Sequence, residues 1–187
     1  METYKESQIM SGGAHFQEDY YRNTGETWCG SIRQRINVLL NHGCLYMFIY
    51  RMWQKNSKNF FWRTARWKVM RKYGLEIDSK NIGRGFRLVH PYNITISPLA
   101  RLGDNCTIHK GATIGRESRG VRQGAPAIGD RVWIGINATV VGHIYIGNNV
   151  LIAPNAYVNC NVPDNSIVIG CPCKVLNNRL NAVDGYL

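Results

Sequence analysis

Along the second half of the chain, aliphatic side chains return every six positions. They fall at Ile82, Leu88 and Ile94, then at Ile96, Leu102, Ile108 and Ile114, and then at Ile128, Ile134, Val140, Ile146, Ile152 and Val158. Four places after many of them comes a small or apolar residue, as at Ala100, Cys106, Ala112, Val132, Ala138, Val150 and Ala156. A period of six matches neither the helical repeat of about 3.6 nor the strand repeat of two. It suits a coil with flat sides, in which each side is a short strand plus a corner and three hexapeptides complete a turn. The aliphatic then points to the coil axis, and Gly, Asn or Asp takes the corner, where left-handed backbone angles are tolerated. Glycine follows the aliphatic at positions 83, 103, 115, 129, 135 and 147. From Ile96 onward the repeat breaks only once, over Arg116–Ala127. A polar, glycine-containing excursion from a rigid scaffold is where ligand chemistry is expected.

The first half follows another rule. Ile32, Ile36, Leu39 and Leu40 recur at three- and four-residue spacing and predict a helix that stops at Asn41-His42-Gly43. A second helix is expected over Leu45–Gln54. A third is expected over Phe60–Tyr73, with Trp62, Ala65, Val69 and Met70 on one face and Gly74 as its stop. The aromatic side chains here are expected to pack between helices and against the coil. Residues 1–25 are polar and mixed, and are expected to be loosely ordered. The expected organisation is a helical segment over 1–75, a β-coil domain over 76–176 carrying the loop 116–127, and a tail over 177–187. The fold class is mainly β, a parallel β-helix with a small N-terminal α-helical segment.

Composition sharpens this only in part. The formal net charge is +11, and residues 27–75 hold ten Lys or Arg with no Asp or Glu. A basic surface of this kind serves a nucleic acid, an anionic membrane or a phosphate-bearing ligand. Six cysteines show no zinc-like spacing. The apolar run Cys44–Tyr50 ends at Arg51, far short of a membrane span. With no leader-like N-terminus, the expected location is the cytoplasm, with peripheral attachment at the inner membrane surface as an addition.

Several stretches together resemble the hexapeptide-repeat acetyltransferases, in the serine acetyltransferase-like branch. They are Ile82-Gly-Arg-Gly-Phe-Arg-Leu-Val-His90, Gly111-Ala-Thr-Ile-Gly115, Pro126-Ala-Ile-Gly-Asp-Arg-Val-Trp-Ile-Gly135 and Val162-Pro-Asp-Asn-Ser-Ile-Val-Ile-Gly-Cys-Pro-Cys-Lys-Val175. The short helical segment, with Asn41-His-Gly and Tyr46-Met-Phe-Ile-Tyr-Arg51, is similar to the N-terminus of members found with polysaccharide biosynthesis. The resemblance implies a left-handed coil, which general chain physics would not have supplied because it favours right-handed crossovers. It also implies a homotrimer and acetyl-CoA as co-substrate.

His90 matches the family's catalytic histidine. An alcohol becomes a competent nucleophile when a base takes its proton, and imidazole, with a pKa of about 6.5, suits that task near neutral pH. His90 falls two residues after the inward Leu88 and should project outward. The family's orienting carboxylate falls at Glu76, with Asp78 as the alternative. Gly115, Arg116, Ile136 and Pro154 match positions whose backbone holds the pantetheine arm, although Pro154 has no N–H to give. Lys174 matches a basic residue near the cofactor's phosphates. Related β-helix carbonic anhydrases bind zinc through three histidines, and His90, His109 and His143 offer that number. The loop 116–127 contains no histidine, so no metal is expected.

The sequence departs from the family where serine would be held. An acidic residue before the histidine reads Val89, and an Arg-His pair reads Gly124 and Ala125. The expected function is therefore acetyl transfer from acetyl-CoA to a hydroxyl of a sugar or polysaccharide precursor. Serine O-acetylation for cysteine synthesis is the alternative, and a catalytically inactive β-helix scaffold is the alternative of another class. The expected partner is a small-molecule or glycan acceptor rather than a nucleic acid.

Overall fold

A computed structural model describes residues 12–177, 179–180 and 182–186. Four helices precede a parallel β-coil: α1 (Gly12–Thr24), α2 (Ile32–Leu40), α3 (His42–Lys55) and α4 (Phe60–Tyr73). Fourteen short strands follow, from β1 (Glu76–Ile77) to β14 (Lys174–Leu176). They stack as three sheets that form the sides of a prism. The first side runs β1, β3 (Thr95–Ile96), β6 (Thr113–Gly115), β9 (Thr139–Val141), β12 (Tyr157–Val158). The second runs β10 (Tyr145–Ile146), β7 (Ala127–Ile128), β4 (Arg101–Leu102). The third runs β14, β13 (Ile167–Ile169), β11 (Leu151–Ile152), β8 (Trp133–Ile134), β5 (Thr107–His109), β2 (Arg87–Val89). Every pairing between named strands is parallel and at register one coil apart, except that β14 folds back antiparallel on β13.

The six-residue period is the core itself. Each aliphatic named above, Ile82 to Val158, is buried, and so are the small or apolar residues named with them, from Ala100 to Ala156. Stacked along the axis they form one continuous hydrophobic cluster that also takes in Tyr46, Tyr50 and Trp53 of α3. Burial of this kind is the main favourable term, about 25 cal/mol per Å² of apolar surface.

The corners correct one reading of the glycines. The left-handed positions are mostly asparagines: Asn93, Asn105, Asn137, Asn149, Asn155 and Asn165 all have φ between 54° and 59°. The glycines after the aliphatics serve close approach instead. A Cβ on Gly103 would lie 2.7 Å from the backbone of Gly129, and one on Gly129 would lie 2.9 Å from that of Gly147. Coils can stack here only because these positions have no side chain.

The helical segment also corrects the expectation. Residues 12–24 are not loosely ordered but form α1. Phe16 and Tyr20 bury against Trp28, Phe48, Val38 and Cys44. Asp19 accepts two hydrogen bonds from the Arg51 guanidinium, at 2.7 and 3.1 Å, with both side chains fully buried. Arg51 also donates to the carbonyls of Ile82 and Gly83, and Asp19 accepts from the N–H of Phe86. Arg22 donates to Asn105 O and Thr107 Oγ1. Polar anchoring of this sort leaves no hydrophobic period to read, which is why the element is hidden in the sequence.

Asn41 ends α2 and also N-caps α3, its side chain accepting from Cys44 N at 3.0 Å, so α3 begins at His42 rather than Leu45. Gly74 closes α4 in the left-handed conformation. The aromatics divide. Trp62 packs on the core, but Phe60, Phe61 and Trp67 face solvent, as do Ile32, Ile36, Leu39 and Leu40 of α2. At the other end, Ala182 and Val183 cover Trp133 and Leu151 on the outside of the third sheet.

Candidate active site

His90 sits at the corner where the chain leaves β2 (Arg87–Val89) for the first sheet. Its backbone is left-handed, φ 51°, and its side chain is exposed. Non-glycine residues in this region cost on the order of 1–3 kcal/mol and cluster at functional sites. His90 projects outward as expected, but the corner is the cause: strand alternation would set residue 90 on the same side as the inward Leu88, and the left-handed turn at His90 breaks that alternation.

A cavity of about 420 Å³ opens in front of it, between the helical segment and the coil. Its wall combines Asn23 of α1, Asn41, His42 and Gly43 at the start of α3, and Arg87 to Tyr92 of the coil. The Tyr92 hydroxyl and His42 Nδ1 are 3.1 Å apart, and the His42 ring lies 4.7 Å from that of Tyr73. Among the lining residues Arg87 is the one Lys or Arg, and there is no Asp or Glu. Sequence reasoning read Asn41-His42-Gly43 as punctuation and missed His42 as a cavity residue. Only the packing of α3 against the coil brings it there.

Among the described residues neither Glu76 nor Asp78 hydrogen-bonds His90. Glu76 is exposed on β1, its N–H donating to Ile94 O. Asp78 is committed elsewhere, accepting from Arg66 at 2.7 Å. His109 is the coil neighbour of Val89, and its ring lies tilted against that of Trp133 at 4.6 Å. Burial lowers its pKa, and the nearby His90 and Arg87 push the same way. His143 lies instead against the loop, its N–H donating to Arg122 O. Among the described residues no three His, Cys, Asp or Glu side chains are grouped to hold a metal.

Strand register places the other positions. His90, Lys110, Ile136 and Pro154 follow one another up a single edge of the prism, one coil apart. Lys174 pairs with Ile169 at the top of the same sheet. Five strand steps of about 4.8 Å separate the level of His90, at the end of β2, from that of Lys174 on β14, or on the order of 24 Å. Gly115 ends β6 beside Val141, at the opposite edge of the first sheet, and Arg116 is exposed next to it. A single chain therefore does not bring Gly115 and Arg116 together with Ile136 and Pro154.

The loop 116–127 folds back on itself. Glu117 and Gly124 exchange backbone hydrogen bonds, and Arg122 pairs with Glu117 at 3.2 Å. Gly124 and Ala125 line a separate cavity of about 440 Å³ with Leu99, Arg101 and His143.

Residues 126–160 match the bacterial transferase hexapeptide (six repeats) family. The serine acetyltransferase of Helicobacter pylori (strain J99) is 31% identical over 143 residues, covering 74% of this chain and 84% of that protein. That of Staphylococcus xylosus is 39% identical over 104 residues, covering 55% and 48%. The crystal structure of Neisseria gonorrhoeae serine acetyltransferase superposes with a TM-score of 0.69 at 24% identity, covering 98% of this chain and 72% of that one. The coil shares the left-handed parallel β-helix of such structures.

Proposed function

The chain belongs to the hexapeptide-repeat transferase family as a homologue of the serine acetyltransferases, and from that premise we propose its reaction and acceptor. It is an acetyltransferase that draws on acetyl-CoA. The acceptor we infer is a neutral hydroxyl compound, a sugar or polysaccharide precursor. One observation carries this reading: the cavity at His90 offers Arg87, amides and a phenol, and no carboxylate to meet an ammonium group. Leaving serine's ammonium unpaired in a desolvated site would cost several kcal/mol.

In this reading His90 removes the proton from the acceptor hydroxyl as its oxygen attacks the thioester carbonyl. The carbon–sulfur bond then breaks, and the proton passes from His90 to the departing thiolate. The pantetheine arm lies along the edge marked by Ile136 and Pro154, with Lys174 toward the phosphates. That arm spans roughly four to five extended residues, about 15 Å, which suits the three coil steps of about 4.8 Å from His90 to the level of Pro154 and leaves Lys174 beyond its far end. Pro154 contributes only its carbonyl. Gly115 and Arg116 complete the site from the facing edge of a neighbouring copy, which is the role of the homotrimer. Glu76 orients His90 in the assembled enzyme.

The names of the relatives favour serine over a carbohydrate, and serine O-acetylation is the second reading. Coenzyme A release separates the two. Serine at millimolar concentration should accelerate acetyl-CoA consumption little above the water background, whereas a suitable glycoside should give saturable turnover. Robust saturable turnover with serine overturns the carbohydrate reading. Acceleration by neither serine nor a panel of sugars would support an inactive scaffold.

A further inference from the structure

We propose that the helical segment docks on an anionic lipid surface through the face shared by α2 and α4. A groove of about 560 Å³ runs between these two helices, floored by Leu45, Phe48 and Ile49 of α3. Leu39 stands on one wall and Phe61 on the other. On the same two helices large apolar side chains stand in solvent: Ile32 is 79% exposed, Leu40 74%, Phe60 79% and Phe61, which also lines the groove, 66%. Four such residues on neighbouring helices are a patch of the kind that marks an interaction site, not scattered surface hydrophobics.

The charges say what covers it. Arg35 lines the groove. On α4, Lys68 and Lys72 continue the stripe of Phe61 and Ala65 at helical spacing. No Asp or Glu occurs between residues 27 and 75. A second copy seated on this face would set these cations against their own equivalents with no carboxylate to receive them. A peptide in the groove would cover Leu39 and Phe61 but leave Ile32 and Phe60 standing in water. A bilayer takes both: aromatic and aliphatic side chains enter the headgroup–acyl boundary while Lys and Arg meet anionic headgroups. No described helix is long and apolar enough to cross a membrane, so the contact is lateral.

The test is co-sedimentation of the full chain with vesicles of phosphatidylcholine alone and of phosphatidylcholine with one third phosphatidylglycerol. Binding should require phosphatidylglycerol and should weaken as salt rises. Lys68→Gln with Lys72→Gln should lower partitioning about thirtyfold, from roughly fivefold per cation. Phe61→Glu should also abolish most of it. Both changes sit on exposed positions, and circular dichroism checks that the fold survives. Equal binding to both vesicle types, or none to either, overturns the proposal. So does a Phe61→Glu variant that changes the sedimentation mass of the protein while leaving vesicle binding intact, since the face would then be a contact between copies. None of these readouts involves acetyl transfer, so they are independent of the acceptor's identity.

Discussion

At the residue scale, His90 combines an exposed imidazole with a left-handed backbone, so the base proposed above carries little packing. His90→Ala should lower turnover by a factor of about 10² or more while the circular dichroism spectrum stays unchanged. Its neighbour His109 behaves differently. Burial holds His109 below its ordinary value, with the charges of His90 and Arg87 adding to the effect. The unfolded chain therefore takes up a proton on His109 at higher pH than the native state does. Stability should fall as pH drops through about 6.5, the unfolded value, and level off below the lowered folded one. The difference in unfolding midpoint between pH 7.5 and 5.5 should shrink in His109→Gln. An unchanged difference would assign the acid sensitivity to other groups.

At the scale of elements, α1 is pinned to the coil by a buried ion pair rather than by an apolar stripe. Burial alone would pull the Arg51 pKa down, but the Asp19 carboxylate outweighs it and holds the guanidinium charged. Asp19→Ala leaves that charge uncompensated and should cost about 3–5 kcal/mol in chemical denaturation. Adding Arg51→Met should recover part of the loss, because a buried pair replaced by apolar groups is often neutral. A double variant as unstable as the single would mean that the carbonyls of Ile82 and Gly83 depend on Arg51 more than Asp19 does. The C-terminal residues act as a second clasp. Ending the chain after Leu176 uncovers Trp133 and Leu151 and should cost about 2–5 kcal/mol, read from the unfolding midpoint.

At the scale of the whole molecule, a coil whose turns touch only their neighbours needs covered ends. The helical segment covers the first turn and antiparallel β14 lies against the last. The sides remain open, and the expected cofactor positions divide between two edges of the prism. Sedimentation equilibrium should accordingly give three times the chain mass of 21.3 kDa. A monomer with full turnover would refute the shared site, since one chain alone would then suffice.

The period of six determined the coil, its axis residues and the outward setting of His90, because an inward position tolerates only apolar side chains and leaves its mark at every turn. The same pattern exposed the loop 116–127 as the place where it failed. What the sequence could not carry was anything fixed by polar contacts between distant residues. Asp19 and Arg51 lie 32 positions apart and meet only when α1 and α3 pack together. His42 reads as a helix boundary until the coil brings Arg87 to Tyr92 in front of it. The direction of the Ile32–Leu40 stripe was equally hidden, since a helical period tells that one face is apolar but not which surface meets it. Local periodicity is a property of neighbours in the chain, whereas a cavity and a docking face belong to residues that only folding makes neighbours.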